Sequence, residues 1–454
     1  MTADTARWAW ALLACGAWLC LLVQPLRQQW RAWRSTQAAP AENPLLIAYA
    51  SQSGFGAQLA EDLARTLAAR GCPAQARPLQ RIRAEDLAAA ERMLFIASTT
   101  GEGDAPDNAG AFVTRVMQDQ RLPGLRYGLL ALGDSSYAGF CRFGRELDAW
   151  LRAAGATPAF ARVEADGGNA AALAGWAQAV AQFTGCSPDT AATAPASQRW
   201  ALAARSVLNP GSPGAPIHRI VLQPLEPAPH WQAGDIARIQ VPAAPGQAAA
   251  WRDYTLASLP HEGQIELLVR EARRPDGQCG LGSGWLGHGL AIGGAVRVQI
   301  RRNSGFHGPD PATPLVLVGN GTGLAGLAVH LKERARARAA GQAIGPAWLL
   351  FGERTRRCDA LCDAALQAWL AGGVLQRLDR AFSRDADAPA RYVQDLLGLH
   401  GALLRDWVAR GAALYVCGQR EGMAQGVDAA LRAVLGDAAL AQLADDGRYR
   451  RDVY

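Results

Sequence analysis

Three continuous apolar runs, each followed by a polar loop, constrain the fold of the first third of the chain most strongly. The runs are Leu45–Ala50, Met93–Ser98 and Tyr127–Leu132, and such runs are typical of parallel strands that are covered on both faces. The other predicted elements here are an amphipathic helix to about Arg70, a last strand at Pro158–Val163 and a last helix at Asn169–Phe183. The pattern predicts a doubly wound α/β domain at 45–185, in which a ligand collects at the carboxyl ends of the strands.

The loops after these strands carry residue types that hold a phosphate and a flat ring. Hydroxyl groups, glycines and backbone N–H groups at Ser51–Gly56 precede a helix and form a phosphate cradle. One polar loop of this kind could be an ordinary turn, whereas three in succession indicate a ligand. The candidate residues are Ser51, Gln52, Ser53, Gly54, Phe55, Gly56, Ser98, Thr99, Thr100, Gly101, Leu132, Gly133, Asp134, Ser135, Ser136, Tyr137, Phe140 and Cys141.

In these loops the sequence resembles the flavodoxin-like half of the diflavin reductases, the family of NADPH–cytochrome P450 reductase and of the sulfite reductase flavoprotein subunit. The resemblance implies FMN, with its phosphate at Ser51–Gly56 and its ring between the two later loops. It also implies that Tyr137 stacks on the ring and that Asp166 lies near the ring edge. Thr100 departs from the family, because several members have an aromatic residue there as a second platform for the ring.

Short alternating strands between Trp200 and about Gln299 predict a small antiparallel barrel after a linker at 186–198. The predicted strand Trp251–Ser258 contains an arginine that can clamp a pyrophosphate and, two residues later, a ring on the same face. The turn Gly280–Ser283 suits a pyrophosphate, or it is a plain helix cap. Through Trp231–Asp235 this part resembles the barrel of ferredoxin–NADP reductases. The resemblance implies FAD at Arg252, Asp253, Tyr254, Thr255, Gly280, Leu281, Gly282, Ser283 and Tyr454.

One part of the family pattern is absent from this barrel. Cytochrome P450 reductases insert a large helical connecting domain where this chain has only a short Ala/Pro segment between Val241 and Trp251. The resemblance therefore covers about Leu45 to Tyr454 without the connecting domain.

From Pro314 the strand–helix pattern returns, with a glycine turn at Gly319–Gly323 that enters a helix and suits a dinucleotide pyrophosphate. Ser383 and Arg384 follow a predicted strand and suit the adenosine 2′-phosphate of NADPH, or they are a capping serine and a surface arginine. Ala390 stands where the family commonly has a lysine, which Arg391 replaces. The resemblance implies NADPH at Gly321, Thr322, Gly323, Ser383, Arg384, Arg391, Tyr392, Gln394 and Cys417.

The chain ends in Arg448-Tyr449-Arg450-Arg451-Asp452-Val453-Tyr454, which closely resembles the end of sulfite reductase flavoproteins. The resemblance implies that Tyr454 covers the flavin ring and that Asp452 supports hydride transfer. The predicted catalytic residues are Thr255, Cys417, Asp452 and Tyr454.

The N-terminus carries an apolar run, Trp8–Leu26, of about the length that crosses a bilayer core. Arginines and tryptophans follow it, which places that side in the cytoplasm. We predict a transmembrane anchor at 8–26, a tether at 27–44 and a single-pass protein of a bacterial-type inner (plasma) membrane with cytoplasmic catalytic domains. A cleaved signal peptide and a soluble helix are the alternatives.

The composition argues against a nucleic-acid partner and against a metal site. The net charge of +6 comes from dispersed arginines, Lys332 being the only lysine, and no basic run interleaves with aromatic residues, so we expect no nucleic-acid partner. The nine cysteines lack paired-ligand spacing and have no histidine cluster beside them, so we expect reduced thiols and no metal site.

The expected fold is α/β: an N-terminal membrane helix, a flavodoxin-like doubly wound domain, and a ferredoxin–NADP reductase-like module. That module comprises an antiparallel β-barrel at 199–310 and a Rossmann-like α/β domain at 311–454. The expected function is a membrane-anchored NADPH-dependent diflavin reductase that passes electrons from NADPH to FAD, FMN and a one-electron acceptor. The acceptor is a haem protein, a sulfite reductase-like component or a ferric-iron system. The alternatives are an obligate electron-delivery subunit of a membrane redox complex and a flavin-binding scaffold without turnover.

Overall fold

A computed structural model describes residues 44–51, 54–100, 103–133, 135, 138–166, 169–186, 197–242, 250–274 and 277–454. The predicted membrane anchor at 8–26 lies outside these residues, as do nearly all of the tether and most of the linker at 186–198. Within the described ranges, no helix has both the length and the apolar character needed to cross a membrane.

The first sheet is parallel and has the strand order β2-β1-β3-β4-β5, with β6 also beside β4. This is the 2-1-3-4-5 order of flavodoxin-like sheets. Separate apolar clusters cover its two faces, which explains why the strands are apolar throughout. Its strands are β1 (Leu45–Ala50), β2 (Ala74–Pro78), β3 (Arg92–Ser98), β4 (Arg126–Gly133), β5 (Thr157–Pro158) and β6 (Val163–Asp166), and its helices are α1 (Phe55–Ala69), α2 (Ala84–Ala89), α3 (Gly110–Arg115), α4 (Arg142–Ala153) and α5 (Ala170–Thr184).

The predicted strand Pro158–Val163 is wrong in its middle. The chain leaves the ladder between β5 and β6, and Phe160 packs edge-on against Trp176 and Phe183. The packing of this ring goes with a break in the ladder, so one predicted strand becomes two short ones.

The second sheet is antiparallel, with the order β10-β9-β12-β7-β8-β11. Its edge strands β10 and β11 also contact each other, which brings the two edges together around a core that includes Trp200 and Trp231. The predicted strand Trp251–Ser258 ends early, at Thr255. Only residues 242–249 separate β9 from β10, which leaves no room for a connecting domain. The elements are β7 (Gln198–Val207), β8 (Ile217–Pro224), β9 (Ile236–Val241), β10 (Ala250–Thr255), β11 (Ile265–Arg270), β12 (Ala295–Arg301), α6 (Leu281–Gly284) and a π-helix at Trp285–Gly289.

The third sheet is parallel, with the order β15-β14-β13-β16-β17, which is the 3-2-1-4-5 order of Rossmann-like sheets. The last residues of the chain form β17 and so belong to this sheet. Its strands are β13 (Leu315–Asn320), β14 (Ala347–Glu353), β15 (Arg377–Phe382), β16 (Ala413–Gly418) and β17 (Tyr449–Val453). Its helices are α7 (Leu324–Ala339), α8 (Arg356–Asp359), α9 (Asp363–Ala371), α10 (Val393–Leu399), α11 (Gly401–Ala409), α12 (Gln425–Leu435) and α13 (Asp437–Asp445).

Short 3₁₀ turns and one further π-helix connect these elements. They lie at Leu79–Arg81, Asp107–Ala109, Pro260–Glu262, Ser304–Phe306 and Gly321–Gly323, with the π-helix at Arg420–Ala424.

The structure joins Cys72, after α1, to Cys186, after α5, in a disulfide. The two residues are 114 positions apart. We expected reduced thiols because no pair of cysteines showed a ligand-like spacing, and a pairing over this distance leaves no spacing signal.

Candidate active site

A cleft of about 1190 Å³ lies between the antiparallel sheet and the third sheet. The carboxyl ends of the parallel strands meet there, as expected for a ligand site of a doubly wound sheet. The predicted FAD and NADPH residues among its walls are Arg252, Asp253, Tyr254, Thr255, Gly280, Leu281, Gly282, Ser283, Gly321, Thr322, Ser383, Arg391, Tyr392, Gln394, Asp452 and Tyr454.

Three predicted catalytic side chains meet beside this cleft. Thr255, the last residue of β10, donates a hydrogen bond of 2.7 Å from Oγ1 to Asp452 Oδ2. Cys417 Sγ lies 3.7 Å from the same carboxylate oxygen. β16 and β17 pair in parallel with Cys417 opposite Asp452, so strand order brings these groups together.

Close packing fixes the cluster from the side of α7. A Cβ atom built on Gly326 would lie 2.9 Å from Cys417 Sγ and 3.0 Å from Thr255 Cγ2. Any side chain at this position would therefore push the helix away from the thiol and the hydroxyl.

Burial also sets the protonation of the cluster. Burial raises the pKa of Asp452 above its ordinary value, although hydrogen bonds from Thr255 and Cys417 oppose that rise. Burial and the neighbouring Asp452 carboxylate raise the pKa of Cys417 well above its ordinary value. Cys417 is therefore a neutral thiol, and it acts here as a weak hydrogen-bond donor.

Tyr454 combines a fixed backbone with an exposed ring. Its N–H donates to Gly418 O at 3.1 Å, and its own backbone oxygen accepts from Arg420 N at 2.9 Å. The side chain is 55% exposed, and its hydroxyl lies 3.0 Å from Thr322 Oγ1. The ring thus lines the cleft on an anchored chain end, and its hydroxyl contact with Thr322 breaks if the ring turns.

The predicted FAD residues of the antiparallel sheet differ in the contacts that they make within the protein. Arg252 lines the cleft and donates from Nη1 to its neighbour Trp251 O at 2.8 Å. Gly282 packs on Tyr254, since a Cβ atom there would lie 2.5 Å from the tyrosine hydroxyl. Ser283 is buried and its Oγ accepts from Ala272 N at 3.0 Å, so this hydroxyl ties the turn to the end of β11.

The predicted 2′-phosphate residues are not equally placed. Ser383 and Arg391 line the cleft, whereas Arg384 is exposed and does not. The backbone N–H of Arg384 donates to Arg354 O at 2.8 Å. Gly323 is buried, and a Cβ atom on it would lie 2.1 Å from Cys417 O, so this glycine allows close packing of the turn on β16.

Sequence reasoning missed several charged residues of the cleft because their partners are distant in the chain. Arg301 is 4% exposed and pairs with Asp253 through Nη1 and Oδ2 at 2.9 Å. Its Nε and Nη2 are buried and have no partner among the described residues. Arg270 and Glu353 form a second pair of 2.5 Å that links β11 to β14.

The described part of the first predicted FMN loop leads into α1 through a left-handed glycine. Gly54 has a φ of 80° at the start of α1, a left-handed conformation that favours glycine. Ser51 Oγ accepts from Gly56 N at 3.1 Å, and Ser51 N donates to Asn108 Oδ1 at 2.9 Å. Gln52, Ser53, Gly101, Asp134, Ser136 and Tyr137 lie outside the described residues.

The third predicted loop is tied to β6. Ser135 N donates to Asp166 Oδ1 at 3.0 Å, and the Ser135 hydroxyl donates to the other carboxylate oxygen. Asp166 therefore holds the loop. Cys141 is buried and its Sγ donates to Ala131 O at 3.4 Å, while Leu132 is 5% exposed within the core. The side chains of Cys141 and Leu132 thus pack the sheet.

Known proteins resemble this chain in one domain and over most of its length. The sequence profile described as Flavodoxin matches residues 47–176. The sulfite reductase [NADPH] flavoprotein alpha-component of Vibrio cholerae serotype O1 (strain O395) is 27% identical over 92% of this chain and 88% of the relative. The proteins of the same name from Neisseria meningitidis serogroup C (strain 053442) and Vibrio vulnificus are 27% and 28% identical, over 92% of this chain and 91% and 89% of the relatives.

The predicted localisation in the inner membrane is wrong on these findings. The chain matches sulfite reductase flavoprotein components over 92% of its length. No helix in the part of the chain that the structure describes meets the requirements of a membrane span. Length and flanking arginines alone suggested the anchor, and both criteria concern residues outside that part.

Proposed function

We propose that this chain, which contains a flavodoxin domain and is homologous over most of its length to the sulfite reductase flavoprotein alpha-component, passes electrons from NADPH through FAD and FMN to a one-electron acceptor. The homology confirms the predictions of an NADPH-dependent flavoprotein oxidoreductase and of FMN, FAD and NADPH as cofactors. The observation that supports the proposal most directly is the Thr255–Asp452 hydrogen bond beside a cleft lined by Tyr454.

The cleft residues fit the two dinucleotides. Arg252 offers a charged donor for a pyrophosphate, and Arg301 offers two buried N–H groups that lack a partner among the described residues. Ser383 and Arg391 offer a hydroxyl and a guanidinium group to a 2′-phosphate. The helix N-terminus at Gly54 and Phe55 offers backbone N–H groups to the FMN phosphate.

The bound nicotinamide and flavins supply the hydride and one-electron chemistry. The residues of this chain bind and orient them. Asp452 holds the Thr255 hydroxyl and the Cys417 thiol in fixed directions beside the cleft. Tyr454 occupies the cleft on an anchored chain end and must turn to admit a second ring. Such positioning contributes to the rate because donor and acceptor meet in reactive geometry.

We propose the domain division 45–185 for FMN, 199–310 for FAD and 311–454 for NADPH, with a linker at 186–198. Each range contains one of the three sheets, except that β7 of the second sheet begins at Gln198, the last residue of the linker. This division keeps each predicted phosphate site within one unit.

We propose a haemoprotein component of a sulfite reductase as the acceptor. The relatives are named as the alpha-component of sulfite reductase, and they align over nearly the whole of both chains. A ferric-iron system is the second candidate for the acceptor. A membrane redox complex is not proposed as the acceptor, because no helix of the described residues could span a membrane.

The test is NADPH-dependent reduction of ferricyanide by the purified protein, together with extraction of its flavins. We expect one FMN and one FAD per chain, and a slower reduction of FAD in Thr255→Val. Thr114→Val is the matched control, because Thr114 Oγ1 donates to a helix backbone oxygen far from the cleft. A protein that holds a single flavin type, or that does not oxidise NADPH, contradicts the proposed function. Addition of a sulfite-reducing haemoprotein then tests the acceptor.

A further inference from the structure

Two histidines and one glutamate converge at a point on the antiparallel sheet that neither the proposed catalysis nor the comparisons use. His218 lies on β8, Glu271 follows β11, and His288 lies in the π-helix at Trp285–Gly289. The Nε2 atoms of His218 and His288 lie 2.7 and 2.6 Å from the same oxygen, Glu271 Oε1. The ligand atoms of the three side chains all lie within 4.8 Å of one another.

The chemistry of this donor set is that of a transition-metal site. Two imidazole nitrogens and one carboxylate oxygen are ligands of Zn²⁺ sites that keep one position open for water. The Glu271 carboxylate accepts from both imidazoles through one oxygen, and a carboxylate supplies a negative charge to a cation.

A glycine and an exposed ligand border the cluster. A Cβ atom on Gly287 would lie 3.1 Å from His218 Nε2, so only glycine keeps that edge of the ring free of a side chain. The side chains of His218 and Glu271 are 4% and 5% exposed, while that of His288 is 59% exposed. Two ligands are thus held by the core, and the third is able to swing outward and open the site to solvent.

We propose that His218, Glu271 and His288 bind one Zn²⁺ ion, with water as the fourth ligand. Zn–ligand distances of about 2.0–2.2 Å in a tetrahedron separate the ligand atoms by roughly 3.3 Å. The observed N–O distances of 2.6 and 2.7 Å are shorter, because the same nitrogen and oxygen atoms form hydrogen bonds with each other in the absence of an ion. A rotation of the exposed His288 widens one of these distances, and a rotation of the Glu271 carboxylate has to widen the distance to His218.

Such an ion would join three elements of the sheet. Its coordination bonds would connect β8, the end of β11 and the π-helix that follows Gly280–Ser283. Because the metal binds the folded chain through all three elements, its binding free energy adds to the stability of this sheet. The bound ion would therefore stabilise the turn that is predicted to hold the FAD pyrophosphate.

The experiment measures Zn²⁺ binding to the flavin-loaded full-length protein after removal of metal by a chelator. Equilibrium dialysis with elemental analysis gives the stoichiometry, and thermal unfolding gives the effect on Tm. We expect one Zn²⁺ per chain and a higher Tm with Zn²⁺. In His288→Ala we expect at least about tenfold weaker binding, as for the loss of a group that orients a metal ligand.

Two further variants make the outcome decisive. His230→Ala removes another exposed histidine and should bind Zn²⁺ as the wild type does. Glu271→Gln retains the shape of the side chain but removes its charge, so it should also lose the site, and retained FAD content shows that the variant is folded. Equal Zn²⁺ binding by the wild type, His288→Ala and Glu271→Gln, or no binding by the wild type, overturns the proposal.

Discussion

Arg420 and Asp104 form an ion pair that links the first sheet to the third. Arg420 Nη2 lies 2.6 Å from Asp104 Oδ2. Arg420 follows β16, and Asp104 lies in the loop after β3, which is one of the predicted FMN loops. The first FMN loop also contacts the antiparallel sheet, because a Cβ atom on Gly54 would lie 2.6 Å from Arg302 O. The predicted FMN site is therefore packed against both other sheets.

The ion pair predicts a modest effect on electron transfer between the flavins. Its side chains are 28% and 68% exposed, and exposed pairs are worth about 0.2–1 kcal/mol. We expect Arg420→Ala to slow reduction of FMN by up to about fivefold in stopped-flow experiments with NADPH, without an effect on reduction of FAD.

The matched control for this variant is Arg410→Ala. Arg410 pairs with Asp406 on the surface of the third-sheet unit and makes no contact with the first sheet among the described residues. Increasing salt should reduce the difference between Arg420→Ala and the wild type, because screening weakens the pair in the wild type. An equal slowing in both variants would show that the Arg420–Asp104 pair does not set the docking.

The fold was predictable where one residue pattern decides it. Buried parallel strands need apolar residues on both faces, so β1, β3 and β4 were evident as continuous runs. The strand Pro158–Val163 was not, because burial of Phe160 between two other aromatic rings decides its path. The choice depends on residues that are distant in the sequence.

The residues of the candidate site were likewise only partly predictable. Thr255, Asp452 and Tyr454 were predicted because their motifs resemble those of a family. Arg301 was not predicted, since its pairing with Asp253 and its buried donors without a partner among the described residues exist only in the folded chain. Spacing likewise gave no sign of His218, Glu271 and His288, which come together from three separate elements.

The preference for NADPH should depend on Arg391 more than on Arg384. Arg391 lines the cleft, whereas Arg384 does not. A hydrogen bond to a charged group is worth about 1.5–3 kcal/mol, so Arg391→Ala should lower kcat/KM for NADPH by about tenfold or more. The value for NADH, which lacks the 2′-phosphate, should change little. Steady-state kinetics of both variants with both coenzymes check this, and a larger NADPH-specific loss in Arg384→Ala would assign the phosphate to Arg384.

Asp452 should make stability depend on pH. Burial holds its pKa above the ordinary 3.8 in the folded chain, so the protonated carboxyl group favours folding. This stability is fully present below about pH 4 and is lost as the pH rises through the raised pKa. Asp452→Asn removes the buried charge, and we expect it to have the higher Tm at pH 8, by about 2–4 °C for each kcal/mol.

The difference in Tm between Asp452→Asn and the wild type should vanish near pH 4. Thermal unfolding of both proteins across this range is the measurement. Asp395→Asn serves as control, because Asp395 is exposed and accepts from the backbone of Tyr392. A Tm difference that is constant with pH would mean that Asp452 does not titrate with a raised pKa.

Tyr454 should decide how well NADH competes with NADPH. Its ring occupies the cleft and must turn before a nicotinamide ring can enter, and contacts to the 2′-phosphate supply part of the energy for that displacement. NADH lacks these contacts. Removal of the ring in Tyr454→Ala should therefore raise the rate of FAD reduction by NADH relative to NADPH, by about tenfold for each 1.4 kcal/mol of displacement energy.

Tyr454→Phe separates the role of the ring from that of its hydroxyl group. The phenylalanine keeps the ring but loses the 3.0 Å contact with Thr322 Oγ1. If the ring is the barrier, this variant behaves as the wild type does and only Tyr454→Ala gains with NADH. If the hydroxyl contact holds the ring in place, Tyr454→Phe gains as well, and Thr322→Val reproduces that gain. Stopped-flow reduction of FAD by each coenzyme compares the four proteins, and an unchanged NADH-to-NADPH ratio in Tyr454→Ala would show that Tyr454 does not cover the flavin.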